Sequence, residues 1–289
     1  MRLLLFNPVD LRGIPTANAD KTLAVWLRPK IFQMDGSLDT VNILFLDEIS
    51  AAPQSVQAAA YQITLDRTIG EHRLPENCIV IAAGNRVTDR SVAYNMPKAL
   101  ANRLCHLEIV GDARAWHDWA VRNGLHRYVV GYLEYNSVAL MKQELSDTAL
   151  AFPTPRSWEM VSNLLQCVSE DMDTVYPMIC GCIGQETASA LRTWSQMADT
   201  LPAAEALFCG ASHPRPKAAE QRFALRAALA EYAFSHPEAQ GLSRTIDHAC
   251  TLPWDYRNGL LHDYSLMPAV REAVWDNEVF QEALRRGMT

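Results

Sequence analysis

Lysine is scarce in this sequence: five in 289 residues, and none follows a glycine. That excludes any G-x-x-x-x-G-K-[ST] loop, the usual backbone cradle for nucleotide phosphates. Excess positive charge is also lacking. The formal net charge is −7, and arginine supplies most of the basic residues. A protein that wraps nucleic acid needs a basic surface, so that function is not expected. No apolar run approaches the length of a membrane span. The opening "MRLLLFNPVD" has an apolar stretch too short for a signal sequence, and Asn7-Pro8 ends it. The seven cysteines include no C-x-x-C, the nearest spacing being Cys180-Gly181-Cys182. Reduced, buried thiols in a cytoplasmic protein are the expectation. The eight histidines show no H-x-x-x-H beside a cysteine set, which argues against a metal site. No G-x-S-x-G motif or Cys/His nucleophile grouping is present.

What is there divides by pattern. Up to about Val110, apolar strand-like runs alternate with helical spacing: "RLLLF", "NILFL", "CIVIAA" and "HLEIV" are the strand candidates. Pro8, Gly13 and Pro15 mark a loop after the first of these. Between the second and third, "SAAPQSVQAAAYQITLDR" spaces Val56, Ala59, Ala60 and Ile63 for one helix face, with Pro53 in its first turn. Apolar strands joined by helices predict a parallel sheet covered on both faces. From Asp112 onward the strand signals fade. "ARAWHDWAVRNG", "SWEMVSNLLQCVSEDM", "GQETASALRTWSQMA" and "KAAEQRFALRAALAEYAF" read as helices, and Pro202 to Pro216 as a loop-rich segment. The predicted organisation is an α/β part over 1–111, a helical part over 112–200 and a helical tail over 201–289.

Chemistry concentrates at the strand ends. "NILFLDEIS" runs four apolar residues into Asp47 and Glu48, at the carboxyl edge where open α/β sheets bind ligands. This is the Walker B pattern, in which the Asp holds Mg²⁺ and the Glu orients the attacking water; an acidic helix cap is the ordinary alternative. "CIVIAAGNR" likewise ends on a polar residue, Asn85, after small residues that let a ligand approach. Asn85 suits a water-positioning sensor, or simply a Gly-Asn turn. Arg103, just before "HLEI", is placed for an arginine finger or for a surface ion pair. Arg156 follows Pro155 at a helix start, where a cation is unfavourable without an anion nearby. Trp116, His117 and Trp119 are expected to serve helix packing. "PWDYRNGLLHDY", Pro253 to Tyr264, is read as a tail helix packing on the helical part, with a docking surface as the alternative.

The ordered run "LFLDEIS…LDRTIGEHRLPENCIVIAAGNRVTD…MPKALANRLCHLEI…FPTPRSW" resembles the AAA+ ATPases of the MoxR branch over about Asn7 to Ala198. The resemblance implies a P-loop NTPase-like parallel sheet, incomplete at its N-terminus, with an α-helical lid and helical tail. It implies ATP and Mg²⁺ as ligands, Asp47 on the metal and Glu48 as catalytic carboxylate, with Asn85 as sensor 1. Arg103 would be the finger acting on a neighbouring subunit and Arg156 the lid's sensor 2. "LDRTIGEHRLPEN" would be the hairpin before sensor 1, turning at Gly70. "NPVDLRGIP" would follow the second core strand, and "VWLRPKIF" would be the helix-2 insert region. Hexameric rings, a von Willebrand factor A partner and remodelling of a protein client are the family's general habits.

The phosphate loop is what the resemblance demands and the sequence lacks. The nearest imitation, "GIPTANADKT", carries Asp20 where a glycine belongs, and Gly13 is too far from Lys21-Thr22. Without the P-loop strand, "CIVIAA" and "HLEIV" would flank a vacant slot. Three explanations compete, in this order. Met1 is an internal start with the loop upstream; the chain is a degenerate relative that binds partners without hydrolysis; or another chain supplies the strand.

Overall fold

The computed structural model describes residues 1–37, 39–86, 96, 98–102, 104–142, 150–167, 172–212, 215–238 and 241–285. Two compact units emerge, Met1–Ile109 and Val110–Thr289. Together they are mixed α/β, mostly helical, with small parallel and antiparallel sheets.

In the first unit, helix α1 (Pro8–Arg12) precedes an antiparallel pair, β1 (Ile14–Ala17) and β2 (Ala24–Leu27). Strand β3 (Asn42–Leu46), helix α2 (Gln54–Leu65), hairpin β4 (Thr68–Ile69) and β5 (His72–Arg73), strand β6 (Cys78–Ala82) and helix α3 (Lys98–Ala101) follow. Pro53 is the residue ahead of α2, not inside its first turn. Val56, Ala59, Ala60 and Ile63 are all buried, as their spacing predicts, and pack with Leu44, Leu46 and Cys78 under the sheet. β3 and β6 run parallel from Asn42↔Cys78 to Leu46↔Ala82.

Three expectations about this sheet need correction. "RLLLF" is not a strand: only Arg2 bridges to Asp47, and Leu3–Leu5 winds into a 3₁₀ turn. "HLEIV" forms no strand either, with Leu107 83% and Ile109 89% exposed. An extended segment holds only where a neighbour takes its backbone hydrogen bonds, and among the described residues none pairs there. The sheet is also covered on one face alone. Ile43, Phe45, Ile79 and Ile81, alternating outward on β3 and β6, are all exposed.

In the second unit the chain runs through helices α4 (Ala113–Arg122), α5 (Arg127–Tyr135), α6 (Pro155–Cys167), α7 (Met172–Ile183), α8 (Gln185–Ala198) and α9 (Ala204–Phe208). Then come α10 (Ala219–Ser235), α11 (Leu242–Cys250), α12 (Trp254–Leu266), α13 (Pro268–Trp275) and α14 (Glu278–Arg285). Caps fix the starts: Asp112 accepts from the Ala115 amide at 2.9 Å, and Thr154 from the Ser157 amide at 3.0 Å. α5 and α10 lie close because small residues meet; a Cβ added to Gly131 would stand 3.1 Å from that of Ala227. α12 packs against α4, the packing on the helical part expected for "PWDYRNGLLHDY".

Four helices share one buried ionic cluster. Arg226 of α10 donates to Asp263 of α12 through Nε at 2.6 Å and Nη2 at 2.7 Å, while its Nη1 pairs with Glu134 of α5. His117 of α4 reaches Asp263 Oδ1 through Nε2 at 3.0 Å. Burial alone would favour the neutral carboxyl of Asp263, but Arg226 and His117 hold it well below the usual carboxylate range. Burial alone would lower His117, but its hydrogen bond to Asp263 together with the charges of Asp263 and Glu134 outweighs burial and raises it. All seven cysteines are free thiols, and the expected burial holds only for Cys78.

His126 starts α5 with its Nδ1 accepting from the Tyr128 amide at 3.2 Å, so that nitrogen must be unprotonated. Burial, and then the charge of Arg127, lower its pKa to about 3. The unfolded chain takes up this proton near pH 6.5 and the native one only near 3. Stability contributed here is therefore present above pH 6.5 and is lost as pH falls through that window. His126→Asn keeps a capping acceptor and removes the titration. Between pH 7 and pH 5 the loss of unfolding free energy, measured in urea, should be smaller in the variant by about 2 kcal/mol. An equal loss in both proteins refutes the assignment.

Candidate functional site at the β3–β6 edge

Parallel, in-register pairing makes β3 and β6 end together, at Leu46 and Ala82. Asp47-Glu48 and the segment Ala83-Gly84-Asn85 therefore leave the sheet side by side. The pairing continues past the strands: the Ala83 amide donates to Leu46 O at 2.9 Å, and the Ile49 amide donates to Ala83 O at 3.0 Å. Gly84 is needed here for space. A Cβ on it would lie 2.6 Å from Ser50 Oγ, so a side chain would push the two segments apart.

Asp47 is held on three sides. Its amide donates to Met1 O at 2.7 Å, its carbonyl accepts from the Leu3 amide at 2.8 Å, and its Oδ1 accepts from the Glu48 amide at 3.0 Å. Its Oδ2 stands 3.7 Å from Nε of the exposed Arg2. An exposed pair of this kind is weak and easily exchanged for another cation. Glu48 adopts φ +58°, the left-handed region that a residue with a Cβ enters at a cost of about 1–2 kcal/mol. Its carbonyl then accepts from the amides of both Ala51 and Ala52 at 3.1 Å, turning the chain toward α2. Asn85 is exposed at the same edge, next to Arg86, which pairs with Glu108.

The structure thus brings Asp47, Glu48 and Asn85 to one edge. Arg156 belongs to the other unit, where it is exposed in the first turn of α6, with no ion pair to a described residue. Arg103 lies outside the described residues. The hairpin carrying Gly70 forms, with Gly70 at φ +56°. Lys21 and Thr22 are not a phosphate loop. They lie in the turn between β1 and β2, where the Thr22 amide donates to Asn18 Oδ1 at 2.9 Å.

The donor set has the chemistry for magnesium bound with phosphates. Among the described residues no group of three or more His, Cys, Asp or Glu could cage a metal alone. Mg²⁺ with nucleotide needs only one or two carboxylates, its remaining positions being water and phosphate oxygens. Asp47, part-exposed and with an exchangeable partner at Oδ2, suits that role. Sequence reasoning missed what Arg2 and Ser50 contribute at this edge, because both depend on backbone pairing that only the fold creates.

Comparison of the chain with protein-family models, with curated proteins and with solved structures returned no match in any of the three.

Strain held at Glu48 is testable by itself. Glu48→Gly should raise stability by about 0.5–1 kcal/mol, the relief of the left-handed backbone exceeding glycine's extra unfolded-state entropy. Chemical unfolding of the two proteins measures it, and a destabilised variant would show that the Glu48 side chain anchors the turn.

Proposed function

We propose that this chain carries the metal- and water-handling half of an AAA+ ATP-hydrolysing site of the MoxR type. The observation that supports this most is the shared β3–β6 edge, which sets an Asp-Glu pair beside an Asn across one parallel strand pairing. Asp47 would hold Mg²⁺ through water, and the bound ion would neutralise charge on the phosphates. Glu48 would orient and polarise the attacking water, and Asn85 would keep that water in line. The phosphate cradle is not encoded in these residues, so a further segment or another chain has to provide it. By the same resemblance, Arg103 would act on a neighbouring subunit and Arg156 would report nucleotide state. A cytoplasmic hexameric ring that remodels a protein client, with a von Willebrand factor A partner, completes the proposal. No helix among the described residues is long and apolar enough to cross a membrane.

One observation favours a second reading, a non-hydrolysing interaction module on an AAA+-like core. Ile43, Phe45, Ile79 and Ile81 leave one sheet face apolar and open, as a binding surface would be.

This chain by itself is expected to bind Mg·ATP poorly, and submicromolar affinity in a direct titration would overturn the account of the missing cradle. Once a P-loop segment is supplied, in the same chain or in trans, Glu48→Gln should cut hydrolysis by about a hundredfold or more while ATP binding survives. Unchanged turnover removes Glu48 from the mechanism. Nucleotide bound but never hydrolysed by the unaltered protein would favour the interaction module.

A further inference from the structure

The helical unit holds a cavity of about 560 Å³, lined by residues to which the sequence motifs assign no chemistry. That volume is within the roughly 300–1,000 Å³ typical of small-molecule sites. α4, α5, α10 and α12 and the Ser137–Leu140 turn enclose it, and the buried ionic cluster forms part of its wall. A space of this size beside four charged side chains is unusual, because interiors are normally packed to near-crystalline density.

The polar groups lining it are unevenly satisfied. Arg226 spends all three nitrogens inside the cluster: Nε and Nη2 on Asp263, Nη1 on Glu134. Its charge is therefore already matched. Glu134 gives Oε1 to Arg226 but leaves Oε2 buried with no hydrogen-bond partner. A buried carboxylate oxygen without a donor is among the costliest polar atoms a fold can leave unpaired. Asp118 is a second carboxylate in the lining, its Oδ1 accepting from His262 Nε2 at 2.9 Å. Two indoles line the same space. Trp254 is 70% exposed at the opening, a large ring left in water where burial would be favourable. Trp116 is part-buried. Arg114, exposed on α4, is the one lining cation not engaged with a described carboxylate.

From the juxtaposition of an unpartnered buried carboxylate oxygen, a second carboxylate and two indoles in one cavity, we infer that this unit binds a small organic cation. The ligand class is an ammonium-bearing molecule with an apolar, preferably aromatic, body. Its N–H groups supply the donors that Glu134 Oε2 lacks, and indole faces attract a cation through their quadrupole while covering its apolar part. An anion would meet the carboxylates of Glu134 and Asp118, with Arg114 at the rim and the unpartnered Trp116 Nε1–H in its favour. This inference is independent of the nucleotide proposal, whose residues all differ.

Tryptamine, phenethylamine and benzylamine are the probes, matched against indole-3-propionate, 3-phenylpropionate and phenylacetate. Ligand-observed NMR and tryptophan fluorescence titration of the full chain provide the readouts. At least one amine is expected to bind about tenfold or more tightly than its matched carboxylate. Glu134→Gln should weaken that amine by about tenfold or more. Because Glu134→Gln disturbs the Arg226 cluster, Asp118→Asn and Trp254→Ala are measured beside it. Both lie toward the opening, and each should weaken the amine severalfold with an unchanged unfolding transition. Arg114→Ala should leave amine affinity unchanged or improve it. Equal or tighter binding of the carboxylates, loss of binding in Arg114→Ala, or no amine bound at millimolar concentration overturns the inference. So does amine affinity untouched by both Asp118→Asn and Trp254→Ala.

Discussion

A buried guanidinium governs the helical unit. Arg226 is buried among apolar helices, and taking it out of water is affordable only because Asp263 and Glu134 meet all three of its nitrogens. The requirement reaches outward. Asp263 must be ionised, so it recruits His117 as well; Glu134 must face inward from α5; α10 must present its alanines to let α5 come near. Replacing one member leaves another charge buried and uncompensated, a loss of about 3–5 kcal/mol in comparable clusters. The cluster thereby fixes the relative placement of α4, α5, α10 and α12, and with it the cavity they enclose.

The α/β unit rests on a different constraint, backbone register. A parallel pair ends together only if its hydrogen bonds are in step, and the bonds from Ala83 and Ile49 carry that step beyond the strands. Asp47, Glu48 and Asn85 owe their proximity to this continuation and not to side-chain contacts. The left-handed turn at Glu48 adds strain at the same place. Strain concentrated where polar groups converge is a common mark of sites that do chemistry, and it supports the proposed role of this edge.

Local patterns in the sequence carried over where a single element could satisfy itself. The α2 face, the Gly70 turn and the helices over 113–122, 155–167, 185–198 and 219–235 follow from local periodicity, with side-chain caps at Asp112 and Thr154. Patterns that needed a distant partner did not. "RLLLF" and "HLEIV" are apolar enough for strands, yet a strand exists only beside another. α5, "RYVVGYLEY", was illegible as a helix because it is buried on nearly every side and shows no polar stripe. β1 and β2 were hidden by Pro15 and Gly13, which signal loops. Of the site, the acid pair and Asn85 were visible as strand ends. The ionic cluster was not, since residues 117, 134, 226 and 263 each resemble an ordinary polar position on its own helix.

Gly259 completes the picture of α12. A Cβ there would fall 2.2 Å from Arg226 Nη1, so the guanidinium lies against bare helix backbone. Its neighbours in sequence, Asn258 and Leu260, have side chains that this space cannot admit. Sliding α12 by one residue, or rotating it by a third of a turn, would bring one of them against the buried charge. The missing side chain thus acts as a keyway. It singles out one axial register for α12 among the several that the helix's apolar surface would otherwise tolerate.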